Sequence, residues 1–480
     1  MVARGQFYAG SQLLMPLVSV VGLPLDQLNF LVCQCAALAL AIPFRKVLSP
    51  STTKPSVRLI VELVAGLALA LFCFGYQVWY LIVQSTISYF VMMFGSPQWS
   101  HKVVFVFCII YLSVAHIYRQ IYDYGGYTLD ITGPMMIQTQ KLTSLAFALA
   151  DGHKDQSKLT PDQRSQAIRA VPNVLSFYSF MFYFHGIMCG PLSFYSDYMS
   201  FIDGSYLHTP PPQTALKKEV GQPDPWDGHM AVLIKKLITA AVSGILMVVL
   251  PPLLCPPESL LSQEFYEKSF LEKNLYILVC MTCARYKYYF AWILGEAINV
   301  AAGFGFNGYD ENGKAKWDLV DNVNVWVVEF GDSLKVNIDG WNQKTLVWLR
   351  RVVYDRAPKY QTFAVFAISA IWHGFYPGYY LTFGSAALFT VAARLVRRRV
   401  RPFFQTSDNM KKLYDVGTFV FTRLVNAYIT FNFLTLEFIP SLSIYLSLYC
   451  WLHLLGIAVV VYFTFISPSK PSGRPPVKQD

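Results

Sequence analysis

The feature that most constrains this chain is a set of long stretches that carry no charge. Leu63 to Ser100 contains no Asp, Glu, Lys, Arg or His. Gly5 to Leu25, Leu237 to Pro257 and Gly374 to Ala393 are also uncharged, and Phe438 to Ser469 holds only His453. A bilayer core of about 30 Å is crossed by about 20 apolar residues in a helix. Inside that core each backbone N–H and C=O must find a partner within the segment, which a helix provides. The expected fold is therefore all-α, a polytopic transmembrane bundle of about nine to eleven helices. A soluble globular fold is excluded. Composition agrees, since 14% of residues are charged where soluble domains carry about 25%. Aromatic residues reach 16%, as expected where rings line membrane interfaces.

The net charge of +10 is read first as a topology signal. Arg394, Arg397, Arg398, Arg399, Arg401, Lys411 and Lys412 define a basic loop at 394–412, expected in the cytosol by the positive-inside rule. The tail at 467–480, with Lys470, Arg474 and Lys478, follows two spans later and is expected on the same side. These cations flank spans, so no nucleic-acid partner is expected. Residues 1–480 read as one membrane-embedded domain without internal repeats. No cleavable signal peptide is expected, because Arg4 is the sole early charge and no small-residue cleavage site follows.

Cys33, Cys35, Cys73, Cys108, Cys280, Cys283 and Cys450 sit in apolar stretches and are expected as buried thiols acting as small hydrophobes. Cys280 and Cys283 form a CxxC without a second ligand pair, so no metal site is expected. Residues 135–150 read as an amphipathic or partly buried helix, 203–229 as an exposed loop and 303–343 as a long polar insertion.

Two motifs mimic known sites. Gly303-Phe-Gly305-Phe-Asn-Gly308 fits GxGxxG, but a membrane-type helix precedes it where a dinucleotide site needs a strand. Asp310 to Lys314 begins like a calcium loop and lacks its later ligands. The informative element is Ser369-Ala-Ile-Trp372-His373-Gly374. An ionisable group at membrane depth is a functional hypothesis by default, and a neutral imidazole suits a general base; a helix-capping His near the interface is the bland alternative. Asn342, in Asp339-Gly340-Trp341-Asn342, offers an amide that can donate to a developing oxyanion, or can simply cap the next helix. Arg285, Lys287 and Tyr288 lie in an aromatic run, suited either to phosphates and a base or to an interface belt of snorkelling cations.

At these residues the chain resembles the membrane-bound O-acyltransferase family, whose signature is an Asn in a Trp-Asn element and a His in a Trp-His-Gly element. Here these are Trp341-Asn342 and Trp372-His373-Gly374. Leu23 to Gln34, Gly133 to Ser144, Tyr286 to Trp292, Ala301 to Gly313 and Thr390 to Arg398 extend the likeness to the lysophospholipid acyltransferase branch, over nearly the whole chain. Ser176 to Asp197 departs in its aromatic run, which bears on acyl and head-group selectivity.

The resemblance implies acyl transfer from a long-chain acyl-CoA to the free glycerol hydroxyl of a lysophospholipid. His373 would be the general base and Asn342 would polarise the thioester carbonyl or hold the hydroxyl. Trp341, Trp372, Arg285, Lys287, Tyr288 and the cations near Arg350 would bind substrate. No cofactor beyond the acyl-CoA co-substrate and no metal would be needed. Residence would be the endoplasmic reticulum membrane, with unsaturated acyl groups and ethanolamine or serine lysolipids as substrates. The family's protein, peptide and sterol acyltransferases are the alternative.

Overall fold

The computed structural model describes residues 7–126, 128–208 and 224–467. It is helical, and among the described residues the one β pairing is an isolated bridge between Tyr309 and Ala315. In chain order the helices used below are α1 (Leu25–Val47), α2 (Pro55–Phe74), α3 (Val78–Phe94), α4 (Ser100–Tyr122) and α5 (Thr132–Gly152). Next come α6 (Val174–Phe182), α7 (Tyr195–Asp203), α8 (His229–Leu254) and α9 (Phe270–Ala302). The last are α10 (Gln343–Val352), α11 (Gln361–His373), α12 (Pro377–Arg399), α13 (Asp408–Thr430), α14 (Phe438–Ser447) and α15 (Trp451–Val461).

Among the described residues, five helical stretches are long and apolar enough to cross a membrane: Leu25–Val47, Pro55–Phe94, Ser100–Tyr122, His229–Leu261 and Pro377–Arg399. A sixth candidate is the pair Phe438–Ser447 and Trp451–Ile466, bent by 81°. Other segments counted towards nine to eleven are helical but fall short for identifiable reasons. The helix α9 has 33 residues and carries Arg285, Lys287 and Glu296. The helix α13 has 23 residues with Asp408, Lys411 and Lys412 in its first turns. The helix α11 has 13 residues, about 20 Å at 1.5 Å per residue, too short to span alone. In α8, Ile234, Ile238, Val242, Ile245 and Val248 are all exposed. Water would oppose that surface, whereas lipid solvates it.

The chain forms two compact units. One comprises Met1–Val249, Ala284–Val325 and Gly340–Phe375; the other comprises Leu250–Cys283, Trp326–Asp339 and Tyr376–Asp480. The first is built around α5. The expectation of an amphipathic or partly buried helix there is corrected: Gln138, Thr139, Gln140, Lys141, Thr143 and Asp151 are all buried. This polar helix is enclosed because each of these six side chains meets at least one partner. Gln138 donates to the Leu81 carbonyl at 2.7 Å, Gln84 donates to Thr139 at 2.9 Å, and Lys141 donates to the Phe180 carbonyl at 3.1 Å. Arg356 clasps the Asp151 carboxylate with two nitrogens. A second buried network joins α2 to α9 through His185. Its Nε2 lies 3.0 Å from Glu62 Oε1 and its Nδ1 lies 2.7 Å from Asn299 Oδ1.

In the second unit, the thiol expected at Cys280 is instead a half-cystine, bonded to Cys255 with the Cα atoms 5.3 Å apart. Cys255 follows α8, and Cys280 lies within α9. Two thiols held at that spacing fit disulfide geometry; the separation of 25 residues hides the pairing from a linear reading. The basic stretch at 394–412 is largely helical, forming the end of α12, a short turn at Arg401–Phe404 and the start of α13. Within the loop expected at 203–229, residues 209–223 lie outside the described residues, as does the tail beyond Ser467.

Candidate active site

The helices carrying Asn342 and His373 hang from the same face of α5. Asn342 immediately precedes α10. Three residues later, Thr345 accepts a 2.8 Å hydrogen bond from Gln140, and Trp348 donates its indole N–H to Thr143 at 2.9 Å. His373 closes α11, and its neighbour Trp372 donates to the Met136 carbonyl at 3.0 Å. Met136 and Gln140 are one turn apart on α5, about 6 Å along its axis. The Trp348 and Trp372 rings sit 5.9 Å apart, so the two short helices also touch each other. Three contacts to one rigid helix hold the motif residues in register, as a preorganised site requires.

Asn342 has φ 47° and ψ 51°, the left-handed region, and its side chain makes no capping bond to α10. The capping reading of this residue is therefore excluded. Asn is among the few non-glycine residues that tolerate this conformation. Its carboxamide is half-buried. At the other motif, Gly374 has φ 120°, accessible to glycine and strained for other residues. A Cβ there would lie 3.3 Å from the His116 ring. His116, from α4, places Nε2 at 3.1 Å from the Trp372 carbonyl. A carbonyl only accepts, so this nitrogen carries the proton. His116 thus braces the backbone into which His373 is built, and the sequence reading missed it. Its signal was present: an imidazole one turn before Arg119, following the charge-free run Val103 to Ala115.

The expected binding residues fall into separate groups. Trp341 is packed into the aromatic run of α9, with ring centroids 5.6 Å from Tyr288, 6.0 Å from Tyr289 and 4.9 Å from Trp292. Lys287 extends its ammonium over Tyr288 at 5.0 Å, while Arg285 is buried. This brings Trp341, Tyr288 and Lys287 into one cluster beside Asn342. Arg350 lies apart on the exposed face of α10, 4.0 Å from Asp355. Its neighbours Arg351 and Arg356 are engaged by Asp162 and Asp151. Among the described residues, no three His, Cys, Asp or Glu side chains converge as a metal site would require.

An imidazole and a carboxamide held on a common support are a pair that can take a proton from a hydroxyl and donate to a developing oxyanion. Comparisons with known proteins place the chain among relatives. Residues 117–431, which include both motifs and α5, match the membrane-bound O-acyltransferase family. Membrane-bound glycerophospholipid O-acyltransferase 2 of Mus musculus is 43% identical over 97% of this chain and 89% of its own length. The Homo sapiens protein of that name is 42% identical over 94% and 87%. Membrane-bound glycerophospholipid O-acyltransferase 1 of Homo sapiens is 38% identical over 97% and 94%. With a multi-pass helical fold, the Trp-Asn and Trp-His-Gly elements braced against one helix and this extent of identity, the chain belongs to the membrane-bound O-acyltransferase family and is an acyltransferase.

Proposed function

We propose that this enzyme transfers a long-chain acyl group from acyl-CoA to the free glycerol hydroxyl of a lysophospholipid. The carrying observation is the joint suspension of Asn342 and His373 from α5. The relatives are named for glycerophospholipids, which supports a lysolipid acceptor over a protein, peptide or sterol. His373 takes the proton of the acceptor hydroxyl as its oxygen attacks the thioester carbonyl. Asn342 donates to the carbonyl oxygen as negative charge builds there. Collapse of the tetrahedral adduct breaks the C–S bond and expels the coenzyme A thiolate, to which the proton from His373 returns. No covalent enzyme intermediate and no group beyond the two substrates is required. Holding both substrates together supplies much of the rate by replacing a bimolecular encounter.

The aromatic cluster of Trp341, Tyr288 and Lys287, with Arg285 from the same run, would face one substrate; Trp372 would serve by anchoring α11, and Arg350, apart on the exposed face of α10, would meet phosphates there. Lysophosphatidylethanolamine and lysophosphatidylserine with an unsaturated acyl-CoA such as oleoyl-CoA are the proposed substrates, in phospholipid remodelling at the endoplasmic reticulum membrane. The test is coenzyme A release by the purified protein in nanodiscs, with oleoyl-CoA and lysolipids that differ in head group. Release that requires a lysolipid supports the reading and ranks the acceptors. Release with a sterol or peptide instead of any lysolipid would replace it.

A further inference from the structure

The left-handed turn at Asn342 leaves a structural debt. The first amides of any helix lack intrahelical acceptors, and a residue of this type at the N-cap normally supplies one from its own side chain. Asn342 does not. The missing acceptors come from a residue far upstream. The Asn322 carbonyl accepts from the Gln343 N–H at 2.7 Å, and the Asn322 Oδ1 accepts from the Lys344 N–H at 3.1 Å. One buried residue thus serves both leading amides of α10.

Asn322 is itself held from behind. Glu296 Oε1 accepts from the N–H groups of Asn322 at 2.7 Å and Val323 at 3.1 Å. The other Glu296 oxygen receives Lys236 Nζ at 2.6 Å, and the same ammonium reaches Asp321 at 2.7 Å. Glu296 and Asn322 are both buried, with 1% and 4% of their surfaces exposed. On the other side of the turn, Asn324 N–H donates to the Gly340 carbonyl at 2.9 Å. The strand of chain at 322–324 therefore brackets Trp341-Asn342, with one bond before the pair and two after it.

We propose that Asn322 is a positioning residue that caps α10 in place of Asn342, fixing the left-handed turn and releasing the Asn342 carboxamide for the reaction. Glu296 and Lys236 hold Asn322 in place. The device matters to turnover only if Asn342 acts in acyl transfer, the role proposed above. Without the Asn322 Oδ1, the Lys344 amide would lose its acceptor, and the Asn342 side chain, of a type that ordinarily caps a helix, would be drawn to it.

A double-mutant cycle in nanodiscs tests this, with coenzyme A release as the assay and thermal unfolding of each variant as the fold control. Asn322→Ala is expected to lower kcat by about 10–100-fold, the scale of a misplacement near 1 Å, while the KM values for acyl-CoA and lysolipid stay within about twofold. Asn322→Asp, which keeps an acceptor at Oδ1, restores most of the turnover. In the Asn342→Ala background, Asn322→Ala has no further effect, because the group it positions is gone. If the alanine variant aggregates, Asn322→Leu fills the same space without an acceptor and carries the same expectation. Full turnover in Asn322→Ala, or losses that multiply across the cycle, overturn the positioning role while leaving Asn342 intact. Full turnover in Asn342→Ala overturns the role of Asn342 and this proposal with it.

Discussion

His453 and His373 both lie in apolar helical segments of this protein, and they differ in how they are held. His453, in α15, is held on both ring nitrogens by hydroxyls. Ser385 Oγ lies 2.8 Å from Nε2 and Tyr428 Oη lies 2.9 Å from Nδ1. The Tyr445 ring closes over it with centroids 4.7 Å apart. It lies in the first turn of α15, just past the positive-φ residues Tyr449 and Cys450, and serves as a connector between helices. His373 instead ends its helix, against a glycine with φ 120° and a backbone braced by His116. A buried imidazole in a membrane protein is thus weak evidence of chemistry on its own. What separates the two is how they are held: His453 meets a hydroxyl at each ring nitrogen, whereas His373 abuts Gly374 at φ 120°, irregular backbone of a kind tolerated at membrane depth where it is enclosed by protein or lines a cavity.

That contrast can be broken or sharpened by substitution. The largest effect is expected for His373→Ala, a loss of about 10²–10⁴-fold in coenzyme A release with an unchanged gel-filtration profile. Activity equal to the parent at equal expression would sink the general-base role. Asn342→Ala is expected to cost about 10²–10³-fold, in kcat more than in KM for acyl-CoA. A change confined to KM would make it a binding residue. Trp372→Phe keeps the ring and deletes the bond to Met136; a several-fold loss of turnover and about 1 kcal/mol of stability are expected. If turnover is untouched, the anchoring of α11 to α5 is dispensable.

The smallest effect on turnover belongs to His453→Leu. It leaves two buried hydroxyls unpaired, so a loss of about 1–3 kcal/mol is expected, read as a lower unfolding temperature, with turnover within about twofold. Abolished turnover in a stable His453→Leu protein would erase the distinction between the two histidines.

The membrane character and both motif residues were legible in the sequence because each depends on local information. A charge-free run of 38 residues, Leu63 to Ser100, announces itself, and Trp372-His373-Gly374 carries its own turn. The support was not legible. Gln140 and Thr345 are 205 positions apart, as are Thr143 and Trp348, so α5 read as amphipathic or partly buried when most of its polar residues are buried against distant partners. The likeness of Gly133 to Ser144 to the lysophospholipid branch marked this helix without explaining it. Asn322 was invisible for the same reason, since its cap on Lys344 spans 22 positions. Trp341 and Tyr288 were both singled out, yet nothing in their spacing reveals that the rings meet.

The long span between α5 and its partners also has a meaning in time. A ribosome adds about 5–20 residues per second. Gln140 and Thr143 therefore leave it about 10–40 s before Thr345 and Trp348 exist. Throughout that interval α5 is a polar helix in an apolar surrounding, with its side chains provisionally satisfied by whatever is near. The contacts from α5 to α10 and α11 close only when those helices are made, with α12 to α15 still to follow. The support under the two motif residues is thus joined from segments made far apart in time.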